Sequence, residues 1–188
     1  MAINLEKKQK INLSKAKPGL QNVFVGLGWD TKNDGGPDID CDVAVLMLGE
    51  NGKFPDDEYF VFYNNKTSPD GAVIHSGDNR TGAGEGDDEA IHIDLNRVSS
   101  KVVQIIFCVV IHEAEEKGLS FDQVENSFIR VVDRNSNSEI CRYVLSEQFR
   151  GYDTVSVGRL YRFGSEWEFE ALDQPYKGGL QTLVDAFI

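Results

Sequence analysis

Cysteine is scarce in this chain. Cys41, Cys108 and Cys141 are spread over 188 residues, with no C-x-x-C pair among them. An odd number at such spacing excludes a disulfide framework and a zinc ribbon, and fits reduced, buried thiols. Long apolar runs are also missing. The longest, Val102–Ile111, contains Gln104 and has about half the length a membrane-spanning helix requires. The stretch Met1–Lys10 has neither the apolar core nor the small-residue cleavage site of an export signal, so a cytoplasmic protein is expected. Positive charge is in deficit, with Lys+Arg 19 against Asp+Glu 31 and a net charge of -12. Phosphate would be repelled over most of such a surface, which argues against direct binding of nucleic acid or of anionic membranes. No internal repeat, low-complexity tract or composition break divides the chain, so residues 1–188 read as one domain.

At 40% hydrophobic and 27% charged, the composition is that of a folded protein with enough chain for a sizeable core. Short runs rich in Val, Ile, Phe and Tyr recur between turn signals. They are Val23–Leu27, Val43–Leu48, Tyr59–Tyr63, Val73–His75 and Ala90–Leu95, then Val102–Ile111, Phe128–Val132, Ile140–Leu145, Val155–Tyr161 and Trp167–Ala171. The separators Glu50-Asn-Gly52, Ser68-Pro-Asp-Gly71, Asp133-Arg-Asn-Ser-Asn137 and Phe163-Gly-Ser165 carry turn chemistry. This spacing predicts a mainly β, two-sheet sandwich. Arg159–Phe163 and Glu166–Glu170 alternate cleanly about Gly-Ser and predict a hairpin. Helix is expected in short segments only. Leu180, Leu183, Val184 and Phe187 share one face of a C-terminal amphipathic helix, and the polar stretch 112–127 reads as a connection with one or two helical turns.

The acidity is local. Residues 30–42 hold five acids and one base, and residues 77–89 hold the same. Together these 26 residues carry -8, leaving -4 for the other 162. In the first loop Asp38, Asp40 and Asp42 alternate with Ile39 and Cys41, so a strand pleat would set all three carboxylates on one face. Neighbouring pairs there would repel by roughly 2 kcal/mol at an effective dielectric near 20. In the second loop Gly77, Gly82, Gly84 and Gly86 permit tight folding that turns carbonyl oxygens inward. Asp78, Asp87, Asp88 and Glu89 add carboxylates, and Asn79 adds an amide oxygen. Many hard oxygen donors on a glycine-punctuated loop suit Ca2+, which takes about 6–8 of them; Mg2+ keeps more of its waters. Zn2+ is disfavoured because neither loop offers His or Cys at ligand spacing.

One acidic loop is ordinarily a solvated turn; two, both opening onto strands, shift the balance towards a metal site. No standard calcium template applies. An EF-hand aligned on Asp38 would need Gly at 43 and Glu at 49, where Val43 and Gly49 stand. Aligned on Asp78, Glu89 falls at the terminal position, but Arg80, Gly82 and Ala83 break the interior. Elsewhere, His112-Glu-Ala-Glu-Glu116 lacks the second histidine of a zinc-protease helix and reads as a polar strand exit. His75 reads as a packed strand histidine, with a supporting role behind metal ligands as the alternative, and Trp29 as a core aromatic beside Asp30. There is no Gly-x-Ser-x-Gly elbow and no recognisable cysteine nucleophile.

At these residues the sequence resembles the TerD family of tellurium-resistance and general stress proteins. The matching segments are Val25-Gly-Leu-Gly-Trp-Asp30, Asp38-Ile-Asp-Cys-Asp42, Phe62-Tyr-Asn-Asn65, Ser68-Pro-Asp-Gly71 and the whole of Gly77–Glu89. Phe128-Ile-Arg130, Arg142-Tyr143, Gly158-x-Leu-Tyr-Arg162 and Gly178-Gly-Leu180 extend the likeness over essentially the whole chain. The resemblance implies a β-sandwich whose two acidic loops bind calcium, in a bacterial-type cytoplasmic protein. By motif, Asp30, Asp38, Asp40 and Asp42 match the first loop, and Asp78, Asn79, Thr81, Glu85, Asp87, Asp88 and Glu89 match the second, some through backbone carbonyls. One departure is Val43-Ala44-Val45, where the family commonly has a small or hydroxyl residue after the acidic triplet.

The expected function is a calcium-binding, non-enzymatic module of a tellurite-resistance and stress-response system. Two bound Ca2+ would reduce the formal charge from -12 to -8. The expected partners are other proteins of a stress-response complex, including at the inner membrane face, without membrane insertion. The alternative is a hydrolase that holds Mg2+ or Mn2+ on the same carboxylates. A third reading, an acidic surface docking a basic partner, would give salt-sensitive binding that is independent of calcium.

Overall fold

The structure, a computed structural model, describes residues 2–31, 39–76, 86–145 and 149–188. The first half comprises β1 (Ile3–Leu5), β2 (Lys10–Asn12), α1 (Leu13–Ala16), β3 (Asn22–Thr31), β4 (Cys41–Leu48), β5 (Phe60–Val61), β6 (Val73–His75) and β7 (Glu89–Asp94). It is followed by β8 (Gln104–Ile111), α2 (Ala114–Lys117), β9 (Val124–Asp133), β10 (Ser138–Val144), β11 (Thr154–Phe163), β12 (Glu166–Tyr176) and α3 (Gly179–Phe187). The strands form two six-stranded sheets, in the order β1-β10-β9-β3-β7-β6 and β2-β12-β11-β8-β4-β5. Every named pairing is antiparallel except that of β1 with β10.

The expected sandwich is therefore present, and its main core lies between the sheets. Val25 and Leu27 of β3, Val43 and Val45 of β4, Ile91 of β7, Phe107 of β8 and Ile129 of β9 meet there fully buried. Each such side chain contributes about 1.5–3 kcal/mol by leaving water. A second apolar layer lies on the outside of the second sheet. Ala44, Leu46, Leu48, Ile106, Cys108 and Val110 point outward there and are covered by Leu183 and its neighbours on α3. Two buried faces explain why β4 and β8 read as continuous apolar runs instead of alternating ones.

Several boundaries differ from the sequence expectation. β3 continues past Leu27 to Thr31, and β9 begins at Val124, inside the stretch read as a connection. The two extensions pair with each other, Asp30 opposite Glu125, beyond a bulge between Gly28 and Asp30. Long-range pairing thus overrides polar local sequence. Tyr59–Tyr63 yields only the two-residue β5 after a short 3-10 turn at Asp57–Tyr59. β1, β2 and α1 carry no strong periodic signal; β1 and β2 are held as edge strands by β10 and β12.

Candidate functional site

The site is built around β3, which lies between β9 and β7 in the first sheet. Its inward residues Val25, Leu27 and Trp29 are buried. Gly26 and Gly28 alternate with them, and Gly26 stands directly across from Arg130 on β9. The second acidic loop enters over these glycines. A β-carbon on Gly26 would meet the Asp87 carboxylate, and one on Gly28 would stand 2.7 Å from the Gly86 carbonyl oxygen. The chain crosses here because no side chain blocks it.

Three successive acids of this loop then diverge. Asp87 turns to the outer face, where the Arg130 fork donates to it through Nε at 2.8 Å and Nη2 at 2.7 Å. Arg130 also reaches Glu139 at 3.1 Å, and Arg142 binds the same carboxylate at 3.0 Å while lying over the Phe128 ring. Asp88 extends the β3–β7 ladder: its N–H donates to the Leu27 carbonyl at 2.8 Å, and its carboxylate accepts from the Trp29 N–H at 2.9 Å. Glu89 turns inward between the sheets. Its Oε2 accepts from the Val43 N–H of β4 at 2.7 Å, a bond that bridges the two sheets. That N–H is available because β5 pairs only with Val45 and Leu46 on this side of β4.

Glu89 is buried with His75, whose Nε2 lies 3.2 Å from Oε2 outside hydrogen-bond alignment. The other oxygen, Oε1, is buried with no hydrogen-bond partner among the described residues. Burial raises the Glu89 carboxyl above its ordinary value, against the pull of His75 and the Val43 N–H, and Asp42 adds to the rise. Cys41 registers the same field. Burial pushes its thiol well up, and Asp40, Asp42, Glu89 and Asp88 all push in the same direction. Carboxylates of both loops thus act on the Cys41 thiol, although Asp42, Asp88 and Glu89 are each held by partners of their own.

Asp42 is buried, with its Oδ2 3.2 Å from His112 Nδ1, and the His112 N–H donates to the Asp40 carbonyl at 2.7 Å. A cleft of about 300 Å3 opens beside this pair, lined in part by Tyr63, Glu113, Asp153 and Gly179. Asp30 lies further out, accepting from the Asn126 side chain at 2.7 Å. Of the ligands expected from the sequence, Asp40, Asp42, Asp88 and Glu89 therefore all lie within electrostatic reach of Cys41. Asp30 is at the exposed strand end, and Asp87 faces Arg130. Asp38, Asp78, Asn79, Thr81 and Glu85 lie outside the described residues. Among the described residues no three His, Cys, Asp or Glu side chains close on one point as a complete metal site. The donor set nonetheless fits a hard cation: all oxygen, and including a buried carboxylate oxygen with no described hydrogen-bond donor.

Sequence reasoning passed over Arg130 as part of the site. Its signal was a lone base in the otherwise apolar run Phe128-Ile-Arg-Val-Val132, opposite Gly26.

A two-sheet sandwich in which a buried carboxylate, Glu89, bridges the sheets where the acidic loops open defines an acidic-loop β-sandwich protein. The chain belongs to the TerD family, since the TerD domain model matches residues 1–187. It is 46% identical over 183 residues to the tellurium resistance protein TerD of Serratia marcescens, covering 97% of this chain and 95% of that one. It is also 46% identical over 185 residues to general stress protein 16U of Bacillus subtilis, covering 98% and 96%. Among solved structures, the TerD homologue SCO6318 of Streptomyces coelicolor superposes with a TM-score of 0.70 at 26% identity, covering 88% of this chain and 96% of that one. Among the described residues no helix is long and apolar enough to cross a membrane.

Proposed function

We propose that this protein is a calcium-binding, non-catalytic module of a cytoplasmic tellurite-resistance and stress-response system. In this reading Ca2+ is held by Asp40, Asp42, Asp88 and Glu89 with oxygens of the two loops. The ordered loops then form the surface that protein partners recognise. The observation that carries it is Glu89: a buried carboxylate facing the like charge of Asp42, with Oε1 lacking any described donor. A cation between the sheets would neutralise that repulsion and satisfy the oxygen. The family's association with resistance and stress, carried by the names of its relatives, supplies the biological setting.

Calcium that binds only the folded loops would stabilise the protein by about 2.7 kcal/mol at a hundredfold excess over Kd. Calorimetric titration with Ca2+, with Mg2+ as competitor, tests this directly. Saturable binding with a rise in melting temperature supports it; an unchanged melting curve on chelation overturns it.

A second reading has one observation in its favour. His112 and Asp42 form a histidine–carboxylate pair at the mouth of a cleft, the arrangement a metal-dependent hydrolase would use as base. Phosphoester turnover with Mg2+ or Mn2+ that disappears in His112→Ala would favour it.

A further inference from the structure

We propose that Arg130 is the positioning residue of the acidic site, and that Asp87 is the anchor through which it acts rather than a cation ligand. This rests on the calcium reading above. Asp87, Asp88 and Glu89 are consecutive, yet they serve three directions: outward to Arg130, along the strand to Trp29, and inward to Val43. Fixing the first restrains the other two, because they follow within two residues on a backbone that the Asp88 N–H ties to the Leu27 carbonyl. The guanidinium fork takes both Asp87 oxygens, a geometry that sets direction as well as distance.

The surroundings are arranged for this clamp. Gly26, directly across from Arg130, leaves the space that the Asp87 carboxylate fills. Glu139 holds the far side of the guanidinium, and Arg142 holds Glu139 in turn. A carboxylate already bound at both oxygens by one cation is a poor ligand for a second. The guanidinium charge would face the divalent ion across a single group.

The test uses the full chain, as wild type, Arg130→Gln, Arg130→Lys, Asp87→Asn and the double variant Asp87→Asn/Arg130→Gln. Ca2+ affinity is read by calorimetry at a temperature where circular dichroism shows each variant folded. Loss of either partner is expected to weaken binding by about tenfold, as supporting groups behind metal ligands do. The double variant should be no weaker than either single one, since both remove the same contact. Arg130→Lys, which keeps the charge without the fork, should recover part of the loss. If Asp87→Asn weakens binding and Arg130→Gln does not, or if the two losses multiply, Asp87 is a direct ligand and the proposal is overturned. Should wild type bind no Ca2+, the calcium reading fails by itself. The clamp is then read from hydrogen exchange at the Asp88 amide, protected in wild type and released in Arg130→Gln; unchanged protection overturns it.

Discussion

A β-carbon added to Gly26 would stand 2.3 Å from Cγ of Asp87, closer than any real contact allows. Gly26 has no positive-φ requirement, so its role is to leave room. Gly26→Ala is therefore expected to destabilise the protein by about 1–3 kcal/mol, the range for overpacking a filled site. The obstruction is a side chain, so the same substitution in an Asp87→Ala background should cost less. Urea denaturation of the four proteins in the cycle measures this. Equal costs in both backgrounds would show that the close approach is not the cause.

Asp88 and Asp56 separate a site charge from a surface charge. The Asp88 carboxylate accepts from the Trp29 N–H, and an asparagine oxygen can keep that bond while losing the charge. Asp88→Asn should thus fold normally and show a smaller Ca2+-dependent rise in melting temperature. Asp56 lies outside both acidic loops and caps a short 3-10 turn through the Glu58 N–H. Asp56→Asn should leave the calcium response intact, since asparagine caps as well as aspartate. Thermal melts with and without chelator decide between the two.

How far the sequence could be read depended on whether a segment's partners are local. The hairpin of β11 and β12 was legible because Gly164 and Ser165 link two alternating runs, and Gly164 takes the positive φ that the turn needs. The helix over Gly179–Phe187 was legible from its own periodicity. The start of β9 was not, because Val124 and Glu125 become strand only by pairing with β3. The acidic loops were visible as charge, but their division of labour was not. Nothing in Asp87-Asp88-Glu89 tells which carboxylate meets a guanidinium from a strand 43 residues away.

Acid should remove a definite part of the stability of the first sheet. The Arg142 guanidinium, with Arg130, holds the Glu139 carboxyl below its ordinary range, and the Ser136 hydroxyl, with the Asn135 amide and Lys17, does the same for Asp133. A depressed carboxyl favours the ionised native state, so the unfolded chain binds more protons at low pH. The contribution is complete above the ordinary carboxyl value of about 4 and is lost as pH falls through the depressed one. Glu139→Gln should be less stable than wild type near neutrality, and the two curves should converge in acid. Urea midpoints between about pH 7 and pH 3 would reveal this; parallel curves would exclude it.

The second apolar layer predicts an opening separate from global unfolding. Helix α3 starts at Gly178 and Gly179, both at positive φ, whose amides donate to Asp153 at 3.0 and 3.1 Å. Within the helix only Leu183 is fully buried. Beneath it lies Cys108, whose thiol burial pushes up to about 12, against a Ser156 hydroxyl 3.2 Å away. A buried thiol with so little thiolate resists alkylation. Leu183→Ala removes the anchor at a cost of about 2–3 kcal/mol, enough to lift the helix without dissolving the core between the sheets. Native-state alkylation followed by mass spectrometry should then label Cys108 faster in the variant than in wild type. Cys41 and Cys141, which pack in the inter-sheet core, should stay protected. Equal acceleration at all three cysteines would mean that the substitution unfolds the whole sandwich and that α3 is not an independent cover.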